Sequence, residues 1–341
     1  MFSFSRLSIP IIQAPMAGGI TTPALVSGVS NAGGLGSFGF AYSPPETIGH
    51  DLKLAQSLTQ GPINANFFIF PSAELPDSKT IGLVIELLHE LASDIDFVVP
   101  KPPFYPDLEM QLEPVWQLRP AVLSFHFGIP PEWVMQRARA LNIAIGITAT
   151  SLEEALRIER AGANFIVAQG VEAGGHRGTF EVESSDERLS TFDLLHQLLR
   201  HCTIPTVAAG GIMDGRDIRK ALDFGARAVQ MGSAFLCCAE SGASSEYKTL
   251  LLAENPRPSV FTKGFSGRWA RGLENAFTRH MEGKPTLPFP IQNTLTGPLR
   301  QAASRSHNAE YQSLWAGTAF YKARTLKVRE LMKALQIELE S

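Results

Sequence analysis

Eight times along this chain a short apolar run ends in a polar or glycine-rich turn and gives way to a helical stretch. The runs occupy residues 10–16, 35–40, 63–70, 122–128, 143–148, 165–169, 205–211 and 228–233. They are short for helices, and most are apolar nearly throughout rather than at every second position. That is how strands buried on both faces of a parallel sheet read. Helix starts follow them: Thr21-Thr22-Pro23 with a hydroxyl before an early proline, Pro44-Pro45-Glu46, Pro130-Pro131-Glu132, Ser151-Leu152-Glu153-Glu154 at capping-box spacing, and Asp214-Gly215-Arg216-Asp217. The passage from helix to next strand also repeats, as Asn31-Ala32-Gly33-Gly34, Ala161-Gly162-Ala163 and Phe224-Gly225-Ala226. Glycine there can close a helix in the left-handed region. The last two of these lie about two βα units of ~30 residues apart. Eight strands alternating with helices predict a (β/α)8 TIM barrel. An open doubly wound sheet is the competing fold, but no Gly-x-Gly-x-x-Gly turn with an acidic residue about twenty positions on is present to support it.

The alternation fails in two places. Residues 71–118 are proline-rich and read as irregular except for a helix near 81–91, an excursion before the fourth strand. After residue 238 helical pieces mix with a loop rich in Gly, Pro and Arg. The expected organisation is a barrel from residues 1–238 and 309–341, with 239–308 inserted near the C-terminus as a smaller, mainly helical domain covering the substrate end. A chain of 341 residues with 44% hydrophobic and 18% charged content has room for both units. A net charge of −3 without a long basic run argues against nucleic acid or an anionic membrane as a main partner. No apolar run approaches the ~20 residues of a spanning helix. Cys202, Cys237 and Cys238 form no disulfide framework and have no metal-ligand spacing, so no metal is expected and a reducing cytoplasm fits.

The chemistry concentrates at the carboxyl ends of the strands, where parallel α/β folds carry it. The sixth run leads into Gln169-Gly170-Val171-Glu172-Ala173-Gly174-Gly175-His176-Arg177-Gly178. Its glycines allow backbone N–H groups close to a flat or anionic ligand, and it presents one imidazole. His176 is the candidate general base, because a reference pKa of about 6.5 suits proton abstraction near neutrality. His126, on the fourth run, is the competing candidate, although a strand histidine reads more readily as a core residue with a satisfied ring. Ala208-Ala209-Gly210-Gly211-Ile212 and Gln230-Met231-Gly232-Ser233 end the seventh and eighth runs. Barrels bind phosphate there on backbone N–H groups, and Ser233 adds a hydroxyl. Asn66 and Gln169 are amides in apolar runs and need partners. The backbone can supply these, or a ring with its own donors and acceptors such as an isoalloxazine. The backbone edge of Ala14, Pro15 and Met16, ending the first run, could meet such a ring.

These strings together resemble the nitronate monooxygenase (2-nitropropane dioxygenase) family of FMN-dependent barrels. The similarity is carried by Ile12-Gln13-Ala14-Pro15-Met16-Ala17-Gly18-Gly19, Asn31–Gly36, Asn66-Phe67, the Gln169–His176 string, both late turns, Phe265-Ser266-Gly267-Arg268, Ala270-Arg271-Gly272 and Tyr311–Gly317. It implies that Asn66, Gln169, Gly174, Gly211 and Gln230 to Ser233 contact FMN, beside Ala14, Pro15, Met16, Gly175 and Gly210. It implies that His176 faces the flavin as catalytic base. The implied reaction takes an alkyl nitronate, or a nitroalkane, and O2 to a carbonyl compound and nitrite. The chain has Thr318 where the family often has Gln after Trp-Ala-Gly, and residues 71–118 match no motif. Both leave the substrate open, as the sequence leaves open a homodimer. Two alternatives stand beside this expectation. One is an FMN enzyme that uses NAD(P)H, as an enoyl-ACP or quinone reductase. The other is a redox-silent barrel for a phosphorylated metabolite.

Overall fold

The structure is a computed structural model and describes residues 1–181 and 186–341. The chain enters through β1 (Ile11–Gln13), α1 (Pro23–Asn31), β2 (Gly36–Gly39), α2 (Pro45–Leu58) and β3 (Ile63–Phe68). After α3 (Ser78–His89) and α4 (Leu108–Leu118) it runs through β4 (Val122–His126), α5 (Glu132–Ala140), β5 (Ala144–Ala149), α6 (Leu152–Arg160) and β6 (Phe165–Gln169). The short β7 (Gly175–His176) leaves the barrel. Then come α7 (Thr191–His201), β8 (Thr206–Ala209), α8 (Gly215–Phe224), β9 (Ala228–Met231) and α9 (Ser233–Leu236).

The large sheet holds eight strands in the order β1-β9-β8-β6-β5-β4-β3-β2, all parallel. Its ends meet: Ile12 bridges Leu35, Leu35 N donates to Ile11 O at 2.9 Å, and Gln13 N donates to Leu35 O at 3.0 Å. The ring is therefore closed, and the (β/α)8 barrel replaces the open sheet. The expected helix starts hold as caps: Thr22 Oγ1 accepts from Leu25 N and Asp214 Oδ1 from Asp217 N. At Ser151 only half of the capping box forms. Ser151 Oγ accepts from Glu154 N, but the Glu154 carboxylate turns to Thr150 N at 2.6 Å and Phe180 N at 2.7 Å.

Two expectations need correction. The excursion is not irregular up to residue 118. Asp107 caps α4, which carries Pro114 within it and buries Leu112, Val115 and Trp116 against the barrel core. The proline masked its helical spacing. The segment after residue 238 is also not helical alone. Besides α10 (Ser245–Leu251), it forms an antiparallel hairpin of β10 (Ser259–Thr262) and β11 (Ala270–Leu273). α11 (Ala276–His280), α12 (Ile291–Leu295) and α13 (Gly297–Arg305) follow. The core of this smaller unit joins Phe265, Phe277, Met281, Leu287, Ile291, Leu295 and Leu299 to Val84, Leu88 and Phe97 of the excursion. The two irregular stretches of sequence thus share one apolar core.

The last helix, α14 (Val328–Glu340), packs back on the barrel beside α1 and α8. Val328 sits against Gly28, and Lys322 bonds Asp214 and Asp217. Cys237 and Cys238 are buried thiols. Among the described residues no helix is long and apolar enough to cross a membrane, and no group of three or more His, Cys, Asp and Glu could hold a metal ion.

Candidate active site

Strand register gathers the candidate residues at one mouth. Gln13 lies opposite Met231, Ala209 opposite Gln230, and Gln169 opposite Ala209. The segments 14–16, 170–176, 210–211 and 230–233 therefore leave the ring side by side. Asn66 faces Ser124 in register across β3 and β4, and its Nδ2 donates to Ser124 Oγ at 2.9 Å. Met231 is buried in the core, and its carbonyl takes Ala14 N at 2.8 Å. Only its backbone can meet a ligand.

The loop that carries His176 is held from three sides. Gly174 lies so close to the C-terminal segment that a Cβ would stand 2.6 Å from Gly317 N. Gly175 has φ +79°, which a side chain would strain. β7 then joins the hairpin as a third strand, with His176 opposite Ala270 and Gly175 opposite Arg271. The β10–β11 hairpin thereby grips the His176 loop through a sheet. The His176 carbonyl accepts from Gln169 Nε2 at 2.9 Å and from His126 Nε2 at 3.1 Å. Gln169 Oε1 accepts from Gly178 N at 2.8 Å. Gln169 and His126 thus hold the loop backbone. The buried Arg177 completes this support, pairing with Asp186 at 2.8 Å and donating to Gln169 O at 2.7 Å.

The imidazole lies in an aromatic chamber. Its centroid is 5.4 Å from Trp315, 5.8 Å from Phe127 and Phe289, and 6.1 Å from Phe68. Phe70 stacks on Phe289 and Tyr105, and Tyr42 meets Phe68 and Phe70. His176 Nε2 is 2.9 Å from Ser266 Oγ, which itself donates to Arg268 O at 3.1 Å. Burial, with help from His126, Arg268 and Arg300, lowers the His176 pKa to about 3. Burial likewise takes His126 down to about 3. Both rings are neutral at physiological pH. The sequence pointed to neither Tyr42, Ser266 and Arg300 nor the aromatic wall as site residues. Ser266 and Arg268 were visible only as part of a family string.

At the late turns, Gly210 and Gly211 have φ of +125° and +71°, so their backbone conformation calls for glycine. Gly232 differs. Its φ is −104°, and a Cβ there would meet only Ala14 Cβ at 3.5 Å and Met16 Sδ at 4.0 Å. Ser233 Oγ accepts from Gly317 N at 3.0 Å, which leaves its own proton for a ligand. Thr318 N donates to Glu172 O at 2.9 Å while its side chain is exposed, so the C-terminal segment docks through backbone rather than through the residue that departs from the family pattern.

The two neutral histidines have a consequence for stability. A histidine whose folded pKa lies below its unfolded value of about 6.5 stabilises fully above that pH, and the stabilisation falls as pH drops through the window towards the folded value. The expected result is a loss of up to about 1.4 kcal/mol per pH unit for each ring below pH ~6.5. Urea midpoints at pH 7, 6 and 5 check it, and His126→Asn should make the slope shallower than in the wild type.

Comparison with known proteins agrees with this fold. The family model described as nitronate monooxygenase matches residues 3–338. The chain is 40% identical over 338 residues to a nitronate monooxygenase of Pseudomonas aeruginosa, covering 97% of this chain and 96% of that protein. It is 39% identical over 344 residues to one of Paraburkholderia phytofirmans, covering 97% and 92%. The solved structure of nitroalkane oxidase from Streptomyces ansochromogenes superposes with a TM-score of 0.92 at 36% identity, covering 99% of this chain and 97% of that one. With a family match over nearly its whole length and relatives well above 30% identity, the chain belongs to the nitronate monooxygenase family.

Proposed function

We propose that this protein is an FMN-dependent monooxygenase that converts alkyl nitronates, and nitroalkanes, with O2 into carbonyl compounds and nitrite. The observation that carries it is a neutral imidazole, His176, in an aromatic chamber at the barrel mouth beside two late turns that can take a phosphate. Gly232 supports a flavin there: neither its backbone conformation, at φ −104°, nor its packing calls for glycine, since an added Cβ would meet only Ala14 Cβ at 3.5 Å and Met16 Sδ at 4.0 Å.

Gly210, Gly211, Gly232 and Ser233 would hold the phosphate, and Ala14, Pro15, Met16, Asn66, Gly174, Gly175, Gln230 and the Met231 backbone would border the ring. Gln169 serves by holding the His176 loop. Bound FMN supplies the electron transfer between nitronate and O2. The chain supplies the rest. The Phe68, Phe127, Phe289 and Trp315 rings exclude water. His176 takes the α-proton of a neutral nitroalkane. With Nε2 turned to Ser266, the nitrogen left to receive it is Nδ1.

The test is oxygen uptake with nitrite release from ethylnitronate or propionate 3-nitronate. Absence of nitrite from any nitronate ends the reading. Rapid anaerobic bleaching of the flavin by NADH would instead support the reductase alternative.

A further inference from the structure

Strands β3 and β4 carry polar side chains up the inside of the barrel to the chamber. Asn66 and Ser124 pair in register, and Phe68 and His126 stand opposite each other one rung nearer the mouth. Residues two apart on a strand share a face, so Asn64, Asn66 and Phe68 line one strand and Ser124 and His126 its neighbour. The Phe68 ring is 6.1 Å from that of His176, and His126 Nε2 lies 3.1 Å from His176 O. Asn66 and Ser124 are therefore one step below the residues that border the chamber.

Ser124 Oγ lies 2.9 Å from Asn64 Nδ2 and 2.9 Å from Asn66 Nδ2, and Asn64 Nδ2 also reaches Ser37 Oγ at 3.1 Å. An amide nitrogen only donates, and a hydroxyl oxygen has two lone pairs to accept with. Both lone pairs of Ser124 are thus taken. The Asn66 amide is anchored by its nitrogen end, and its oxygen end points away from Ser124. The two amide oxygens differ in their surroundings. Asn64 Oδ1 is sealed in the barrel without a partner. Asn66 is 5% exposed, no described residue donates to its Oδ1, and that oxygen is not sealed as Asn64 Oδ1 is. Buried polar groups find partners, and an amide oxygen left open at the floor of a site accepts from a ligand's N–H or O–H.

We propose that Ser124 is a positioning residue for the cofactor: by holding the nitrogen end of the Asn66 amide it presents Asn66 Oδ1 to a ring N–H. The oxidised isoalloxazine ring has one N–H, that of its imide, so the end of the amide that faces it matters. Without the Ser124 hydroxyl nothing fixes that end, and an Asn66 amide turned over offers two donors and no acceptor. The inference rests on reading the barrel mouth as the FMN site, but its test reads cofactor affinity and needs no turnover.

FMN affinity is read from the flavin fluorescence released on dilution of the holoprotein. Ser124→Ala should weaken FMN roughly five- to tenfold, the worth of one hydrogen bond between neutral groups. An effect exercised through Asn66 vanishes with Asn66, so Ser124→Ala added to Asn66→Ala should cost less than about twofold more. Wild-type protein should also prefer FMN to its N3-methylated analogue, which has no imide N–H, when the two compete. That preference should shrink at least about threefold in Ser124→Ala. A merely structural loss would weaken both ligands alike and would persist without Asn66. Should Ser124→Ala fail to fold by circular dichroism, Ser124→Cys, which keeps a group of similar size and a weaker acceptor, is read by the same criteria. FMN affinity within twofold of wild type overturns the assignment. So does a loss that persists undiminished in Asn66→Ala, or a preference for FMN that stays unchanged. Wild-type protein that holds no FMN overturns both this assignment and the proposed function. The expected pattern in a protein that releases no nitrite upholds Ser124 and ends the reaction assignment alone.

Discussion

Replacing His176 with alanine is expected to lower kcat/KM for nitroethane by roughly 10²–10⁴, the usual worth of a positioned general base. The same variant should keep ethylnitronate turnover within about tenfold, because that substrate has already lost its α-proton. The split follows from where the ring stands. Its lowered pKa keeps the lone pair free from neutrality down to well below pH 6.5, so the acid limb of the nitroethane profile should lie far below the ordinary histidine value. Ser266 decides which nitrogen carries that lone pair. A carbonyl only accepts, so a Ser266 proton placed on Arg268 O makes Nε2 the donor to Ser266 and leaves Nδ1 as the base. Ser266→Ala should therefore slow nitroethane more than ethylnitronate, though less than His176→Ala. Equal losses on both substrates in His176→Ala would remove the base role and leave His176 a wall of the chamber.

Much of this arrangement was legible because it is local. Strand runs, glycine caps and the Gly-Gly-His string depend on residues a few positions apart, and all eight barrel strands stand where the runs placed them. What stayed hidden is long-range. β11 and β7 meet through a pairing across the chain that no local pattern encodes, so the His176 string read only as a glycine-rich loop, although Gly175 and His176 pair with β11 as a strand. Phe68, Phe127 and Phe289 belong to three distant segments, and in sequence each looks like an ordinary core residue. Gln169 was rightly singled out as an amide needing a partner, and the partners in this structure are the backbone of its own loop. Arg268 stood out only inside a family string, and its burial at 2% exposure was not legible there.

Gly232→Val is expected to give a folded, colourless protein. This position separates the two reasons a glycine can be needed. At Gly211, with φ +71°, any side chain strains the backbone, so loss of cofactor there would be indistinguishable from damage to the turn. At Gly232 the backbone lies at φ −104°, and the nearest atoms to an added Cβ are at 3.5 and 4.0 Å, ordinary contact distances. The protein itself should accept the side chain, with a thermal midpoint near that of flavin-free wild type. A ligand lying between Ala14 and Ser233 would not. Displacing it at a cost of about 1–3 kcal/mol weakens binding roughly ten- to hundredfold, with Gly232→Ala in between. The measurements are the flavin absorbance of the purified variants and their affinity for added FMN, with circular dichroism to confirm the fold. A Gly232→Val protein that purifies yellow at the wild-type stoichiometry would show that the cofactor lies elsewhere on the barrel mouth. The phosphate role of the two late turns would then fall with it, because Ser233 and Gly232 belong to the same turn and cannot serve a ligand that one of them does not face.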